Sequence, residues 1–570
     1  MGTKTTHSLL PGSPARATRA ASVPLLALVA LVLVQPGPSV LAVTPPPAAF
    51  PPVEINPSIM VVGAYDWGDR CLDMVQRAAE AGGSVLNFVP THYWRGSEGG
   101  KDKEEPVREF CYMDSSRSCV AFDAAALESF RAGMARCFTA AVRAGLGISV
   151  VPHLDDGAGR SGTWRNGLLF SPVLLDPLAA ALAAAMADSS STAEGAAGPG
   201  GKAGGGDEPH HQPPPVPVWF ALQGEMSATV LRYPHEYTQL VAEMRARLLT
   251  ALWERGVPAE QVGLSFNYNK FLSWSDKDPH TEDGNADERE AAEPAAGNQT
   301  QSAPAPAAAA GVDVAGLTRL FEEVDFVGVS AYGHLKPDFQ PQDLDVSATT
   351  FFQEMRDTVG LDLASLLRRR GWGTNGTAST AVEFHYSEFG VGGGANGGGH
   401  RAARSPAAAA AAPYWGISGV YRPFTDPFSS SNNEMRQWRR SFYSRALDWL
   451  GAGAAVRLPP ITAGGGGAAG GDGGGGGTAA EVARLPVQHC FLWSMGSWDV
   501  LGVYPESTAT SGSNAGLAWG GFGGRLRGGA PSPAGGTYRD EDVVAAVTRH
   551  NAGVRLASSP AADNLPPVAK

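Results

Sequence analysis

The stretch VPVWFALQGE, residues 216–225, followed by a helical pattern near 234–255, makes one strand–helix unit. Its residues before Gln223 are almost all apolar, which suits a strand buried on both faces of a parallel sheet. Tyr237, Leu240, Val241, Met244 and Leu248 then recur at three- and four-residue spacing, as on one face of a helix. The same alternation recurs on either side. Upstream lie SIMVVGAY (58–65), SVLNFVPTHYW (84–94) and GISVVPHLDD (147–156). Downstream lie VGLSFNYN (262–269), DFVGVSAYG (325–333), AVEFHYSEFG (381–390) and HCFLWSMGSW (489–498). Eight strands, nearly all separated by helical segments, predict an α/β fold of the closed (β/α)8 TIM-barrel type over 58–556. An open doubly wound sheet usually has fewer strands and a glycine-rich phosphate turn after the first. VVGAYDWGD lacks that GxGxxG spacing.

Much of the remaining length is filler, since the 570 residues include Gly 72 and Pro 43 in long low-complexity runs. Insertions near 189–215, 275–311, 392–412 and 452–483, and a tail over 557–570, are expected to be disordered for want of apolar surface to bury. A formal charge of -12 without a basic face argues against a nucleic-acid partner. Lys4, Arg16 and Arg19 precede the apolar run VPLLALVALVLV (23–34), short for a membrane span. The expectation is a signal peptide over 1–42, a Pro-rich linker over 43–57, and a secreted or lumenal chain with no stable membrane insertion after cleavage. An uncleaved anchor is the alternative. Of five cysteines, Cys111 and Cys119 flank a short polar loop and form the best candidate pair in an oxidising compartment. His210-His211 sits in a proline-rich segment and reads as solvated linker; no metal site and no cofactor are expected. Asn298 and Asn375 stand in glycosylation sequons.

In such a barrel the working residues stand at the C-terminal strand ends. Those ends carry His92, Tyr93 and Trp94, then His153, Asp155 and Asp156, then Glu225, Asn267, Asn269, Tyr332, Glu388, Trp493 and Trp498. Aromatic planes for C–H faces and carboxylates for hydroxyls suit a polysaccharide or oligosaccharide. Glu225 and Glu388 end their strands three apart around the ring. Two facing carboxyls repel, so one keeps its proton and can serve as acid while the other attacks. The plainer reading is two unrelated, solvated strand-end glutamates.

The motifs NFVPTHYW, VVPHLDDG…GTWRNGLLFSP, FALQGEM, DFVGVSAYG and SEFGVGG, in that order, resemble glycoside hydrolase family 113, β-mannanase-like members of the retaining (β/α)8 glycanases. The resemblance implies Glu225 as acid/base, Glu388 as nucleophile, and Tyr332 hydrogen-bonded to the nucleophile. It implies His153, Trp164 and Arg165 near the sugar and Trp493 as a platform under it; Asn267 either meets a hydroxyl or caps a helix. Two positions depart from the wider clan: Gly224, preceded by Gln223, stands where Asn usually precedes the acid/base, and Asn87 stands where strand 2 usually has Arg. The function expected is a retaining hydrolase of a β-linked polysaccharide, with β-mannan as one candidate. The alternative is a non-catalytic carbohydrate-binding or wall-associated protein on a degenerate barrel.

Overall fold

A computed structural model describes residues 50–95, 109–114, 118–156, 170–191, 216–253, 260–268, 311–373, 381–394, 402–414, 427–428, 431–458, 484–505 and 538–558. The expected signal segment over 1–42, both sequons and nearly all of the 189–215 and 275–311 insertions lie outside them.

Eight parallel strands close a barrel, as the strand–helix periodicity predicts. They are β1 (Ile55–Val61), β2 (Val85–Arg95), β3 (Gly147–Val150), β4 (Val218–Ala221), β5 (Glu260–Asn267), β6 (Phe326–Ala331), β7 (Glu383–Phe389) and β8 (His489–Leu492). Each pairs with its neighbours in chain order, and β1 joins both β2 (Ser58 opposite Asn87) and β8 (Ile55 opposite Cys490). At least one helix follows each strand, and eight complete the pattern: α1 (Asp69–Glu80), α2 (Ala124–Arg143), α3 (Leu175–Ser191), α4 (Pro234–Trp253), α5 (Val314–Glu323), α6 (Val346–Glu354), α7 (Asn433–Gly451) and α8 (Glu541–Ala557). Helix starts are capped by short polar side chains: Asp123 accepts from the Ala126 N–H at 2.7 Å, and Asp313 from that of Gly316 at 2.8 Å.

The main core lies between strands and helices. Val85, Val151, Trp219, Ala221, Phe326 and Phe491 form a separate buried cluster. Residues drawn from five positions around the ring that meet each other, and not the outer layer, can meet only inside the barrel.

Tertiary contacts correct several expected boundaries. Residues 55–57 are not linker but the start of β1. They are held there because the Asn551 side chain of α8 takes the Ile55 N–H at 3.0 Å and donates to its carbonyl at 2.9 Å. The described part of 392–412 is packed. Gly394 bridges Ala402, and the helix Pro406–Ala410, capped by Ser405, buries Ala409 and Ala410 while the Ala410 carbonyl accepts from the Leu335 N–H at 2.8 Å. Alanine is the strongest helix former, and its small side chain lets a short helix lie close to a neighbour. Likewise Ala455–Arg457 pairs antiparallel with Arg484–Pro486, so only 459–483 of the expected fourth insertion lies outside the described residues. Cys111 and Cys119 form a disulfide across a hairpin of Glu109–Met113 and Cys119–Ala121 that extends β2. A second disulfide, Cys71–Cys137, joins α1 to α2. Among the described residues no helix is long and apolar enough to cross a membrane.

Candidate active site

The chain beyond β4 stays clamped between the two neighbouring strands. Ser265 N–H donates to the Gln223 carbonyl at 3.2 Å, Gly224 N–H to Pro152 at 2.7 Å, and Glu225 N–H to Ser265 at 3.1 Å. The clamp holds Glu225 at φ 57°, a left-handed conformation that costs a residue with a Cβ about 1–2 kcal/mol. Non-glycine residues kept there cluster at functional sites, where surrounding contacts over-determine them. The Asn267 amide donates to Glu225 Oε1 at 2.9 Å, so Asn267 orients the carboxylate rather than capping a helix. Gln223 turns back, its Oε1 accepting from the Met226 N–H at 2.6 Å.

Gly224 has a steric reason. A Cβ there would collide with the His153 imidazole, which bridges this segment. His153 thus leaves no room for a side chain at position 224.

Glu388 stands on a bulge: the pairing of β7 with β6 and with β8 shifts register after Tyr386. Bulges of this kind re-aim a side chain beside active sites. Asn87 braces the bulge as a neutral amide. Its Nδ2 donates to the Ser387 carbonyl at 3.2 Å and to Ser58 Oγ at 3.1 Å, while Oδ1 accepts from Ser149 at 2.9 Å. Glu388 is 4% exposed. Tyr332 donates its hydroxyl to Oε2 at 3.2 Å, and His153 Nε2 stands 3.0 Å from Oε1. Burial pushes the Glu388 carboxyl above the usual carboxylate range and the charge of Glu225 adds to this; His153 and Tyr332 pull it back. Burial, then the charges of Glu388 and Glu225, raise the Tyr332 phenol well above its ordinary value, which keeps it a donor.

Trp493 is buried beside them, its backbone N–H donating to the Phe389 carbonyl at 2.8 Å and its ring 6.3 Å from His153 at 30°. The structure therefore gathers Glu225, Glu388, His153, Asn267, Tyr332 and Trp493. Trp164, Arg165 and Asn269 lie outside the described residues. His92 is not part of the site: it is buried among Trp67, Phe122 and Phe130, and burial lowers it to about 3. Tyr414 was missed. Its ring lies 5.7 Å from Tyr332 at 69°, and it is 36% exposed. It follows the alanine run read as filler, after Pro413, and the aromatic pair Tyr414-Trp415 is the available signal.

No protein-family model matches the chain, and no curated protein does. Among solved structures it is similar to a GH113 β-1,4-mannanase complex at 8% identity and TM-score 0.37, over 88% of this chain and 99% of that one. It is similar to the GH113 β-mannanase of Alicyclobacillus acidocaldarius in complex with ManMIm at 11% identity and TM-score 0.31, over 70% and 83%. A modular endo-β-1,4-mannanase of family 26 from Cellulomonas fimi matches at 12% identity and TM-score 0.24, over 63% of each chain. The (β/α)8 fold and the site geometry stand on the strands and side chains described above.

Proposed function

We propose that this chain is a glycoside hydrolase that cleaves a β-linked polysaccharide with retention, β-mannan being the first substrate to test. The observation that carries the reading is the buried Glu388, hydrogen-bonded by Tyr332, with His153 Nε2 at 3.0 Å and under the charge of Glu225 at the same mouth. Coulombic repulsion between the two carboxyls opposes their ionising together. In the first step Glu388 attacks the anomeric carbon while Glu225 protonates the departing oxygen. In the second, Glu225 takes a proton from water, which displaces Glu388 from the sugar. Tyr332 and His153 serve to favour the carboxylate form of Glu388, and Asn267 to hold Glu225 in register. Trp493 supplies a face for a sugar ring. The family 113-like motif order motivates mannan. The export reading of residues 1–42 belongs to the same proposal, and the two disulfides favour it, since such bonds persist in oxidising compartments.

The test is sugar release from β-mannan, β-glucan, xylan and galactan. Release from none, with binding to one, would favour a carbohydrate-binding barrel. Glu388→Ala should abolish turnover of the polysaccharide. Glu225→Ala should retain the first step on an aryl glycoside with a good leaving group and stall in the second. Azide, which needs no general base, should then restore turnover and give a β-glycosyl azide. An α-azide from Glu225→Ala would mean that the two roles are exchanged.

A further inference from the structure

At the opposite end of the barrel from Glu388, β7 and β8 begin with a second polar cluster. Glu383 and His385 alternate on β7, so they project to one side of the sheet, and His489 is the register partner of His385 on β8. Glu383 lies five residues before Glu388, about 16 Å along a strand. His385 Nε2 stands 2.8 Å and His489 Nε2 3.5 Å from the same carboxylate oxygen, Glu383 Oε2. Ligating atoms of all three residues lie within 4.8 Å of one another. None of the three takes part in the proposed hydrolysis.

We propose that Glu383, His385 and His489 form a binding site for a divalent transition-metal ion of the zinc type. Two imidazole nitrogens and one carboxylate oxygen are a donor set suited to zinc. Neighbouring ligand atoms of a tetrahedral zinc site stand roughly 3.4 Å apart, from metal–ligand bonds near 2.1 Å. The two nitrogen–oxygen distances bracket that value.

The surroundings match what holds metal ligands in place. The Trp219 indole donates to Glu383 Oε2 at 2.9 Å, and the Gln261 amide to Oε1 at 3.2 Å. Donors of this kind fix the carboxylate and leave it ionised. Phe326 stacks on the His385 ring at 4.6 Å and 10°, and Trp219 packs on His489 at 4.4 Å. His385 is buried, whereas the side chains of Glu383 and His489 remain 22% and 19% exposed. The cluster thus has an apolar inner wall and an open outer side through which an ion can enter and a water can complete the coordination. The rival account is a carboxylate satisfied by its four N–H donors alone, with no ion.

The two accounts separate by calorimetric titration of the chelator-treated full chain with zinc chloride. One equivalent should bind per chain and raise the melting temperature. His489→Gln, at a partly exposed position, should weaken binding at least about tenfold, and Glu383→Gln likewise. Cobalt(II) in place of zinc should give visible absorption that is lost in His489→Gln. The double variant His210→Ala/His211→Ala, which tests the other histidine pair, should bind as wild type does. Glu388→Ala should also bind zinc normally, so the outcome is independent of the hydrolase reading. Absence of zinc binding, or equal affinity in wild type and His489→Gln, overturns the proposal.

Discussion

At the scale of single residues the site is held together by constraints that oppose stability. Glu225 keeps its left-handed φ of 57° because three backbone hydrogen bonds around it leave no other course. Glycine is free of that penalty, so Glu225→Gly should be more stable than Glu225→Ala by about 1 kcal/mol in urea denaturation. Equal stabilities would show that the conformation carries no cost. Glu388 adds an electrostatic cost. Its folded-state carboxyl is raised from 4.5, chiefly by burial and then by Glu225. A raised acid stabilises the fold fully below 4.5, and that contribution is lost as pH rises through the folded value. Glutamine does not ionise. Glu388→Gln should therefore melt above wild type at pH 7, with the gap closing as pH falls below 4.5; a gap independent of pH would refute the assignment.

At the scale of elements, one cross-link and one charged joint bind helices to each other, and a second cross-link closes a hairpin. Cys71–Cys137 ties α1 to α2 across 66 residues, whereas Cys111–Cys119 closes a hairpin of 8. In the chain-entropy account the longer closure is worth about 4 kcal/mol and the shorter about 2.5. Cys71→Ala/Cys137→Ala should thus lower the urea midpoint more than Cys111→Ala/Cys119→Ala does. The reverse order would place the greater strength in the hairpin. Between α7 and α8, buried Asp540 accepts from Arg440 at 2.9 Å, stands 3.4 Å from buried Arg439, and caps α8 through the Asp542 N–H. One acid thus draws Arg436, Arg439 and Arg440 of α7 to the start of α8. The helix Pro406–Ala410 has a different lesson: composition alone called it filler, yet it leads into Tyr414 beside Tyr332. Tyr414→Ala is expected to raise KM for polysaccharide several-fold with kcat little changed, because an exposed ring at the cleft contributes to binding rather than to chemistry. A fall in kcat alone would place Tyr414 in the reaction.

At the scale of the whole molecule, the last helix closes the first strand. Asn551 of α8 makes both backbone hydrogen bonds of Ile55, and Tyr504 does the same for Met60, accepting at 2.6 Å and donating at 2.7 Å. Removing the Asn551 side chain leaves a buried N–H and carbonyl unpaired, at about 1–3 kcal/mol each. Asn551→Ala should destabilise the barrel by about 2–6 kcal/mol in a single cooperative transition. A loss confined to fraying of α8, with the barrel's midpoint unchanged, would show that closure does not depend on it.

Repetition of apolar runs and helical faces was enough to determine the eight-stranded barrel, because strand and helix periods are local and each unit repeats them. It also located Glu225, Tyr332 and Glu388, since strand ends can be counted along the chain. Three features had no local mark. Cys71 and Cys137 meet only when α1 packs on α2. Gly224 reads as a missing asparagine until His153, from another strand, is seen to occupy its Cβ space. Glu383, His385 and His489 look like ordinary strand starts until β7 and β8 pair in register. In each case the deciding contact joins segments remote in sequence, as Ile55 and Asn551 do across a separation of 496, and only closure of the barrel brings such residues within reach.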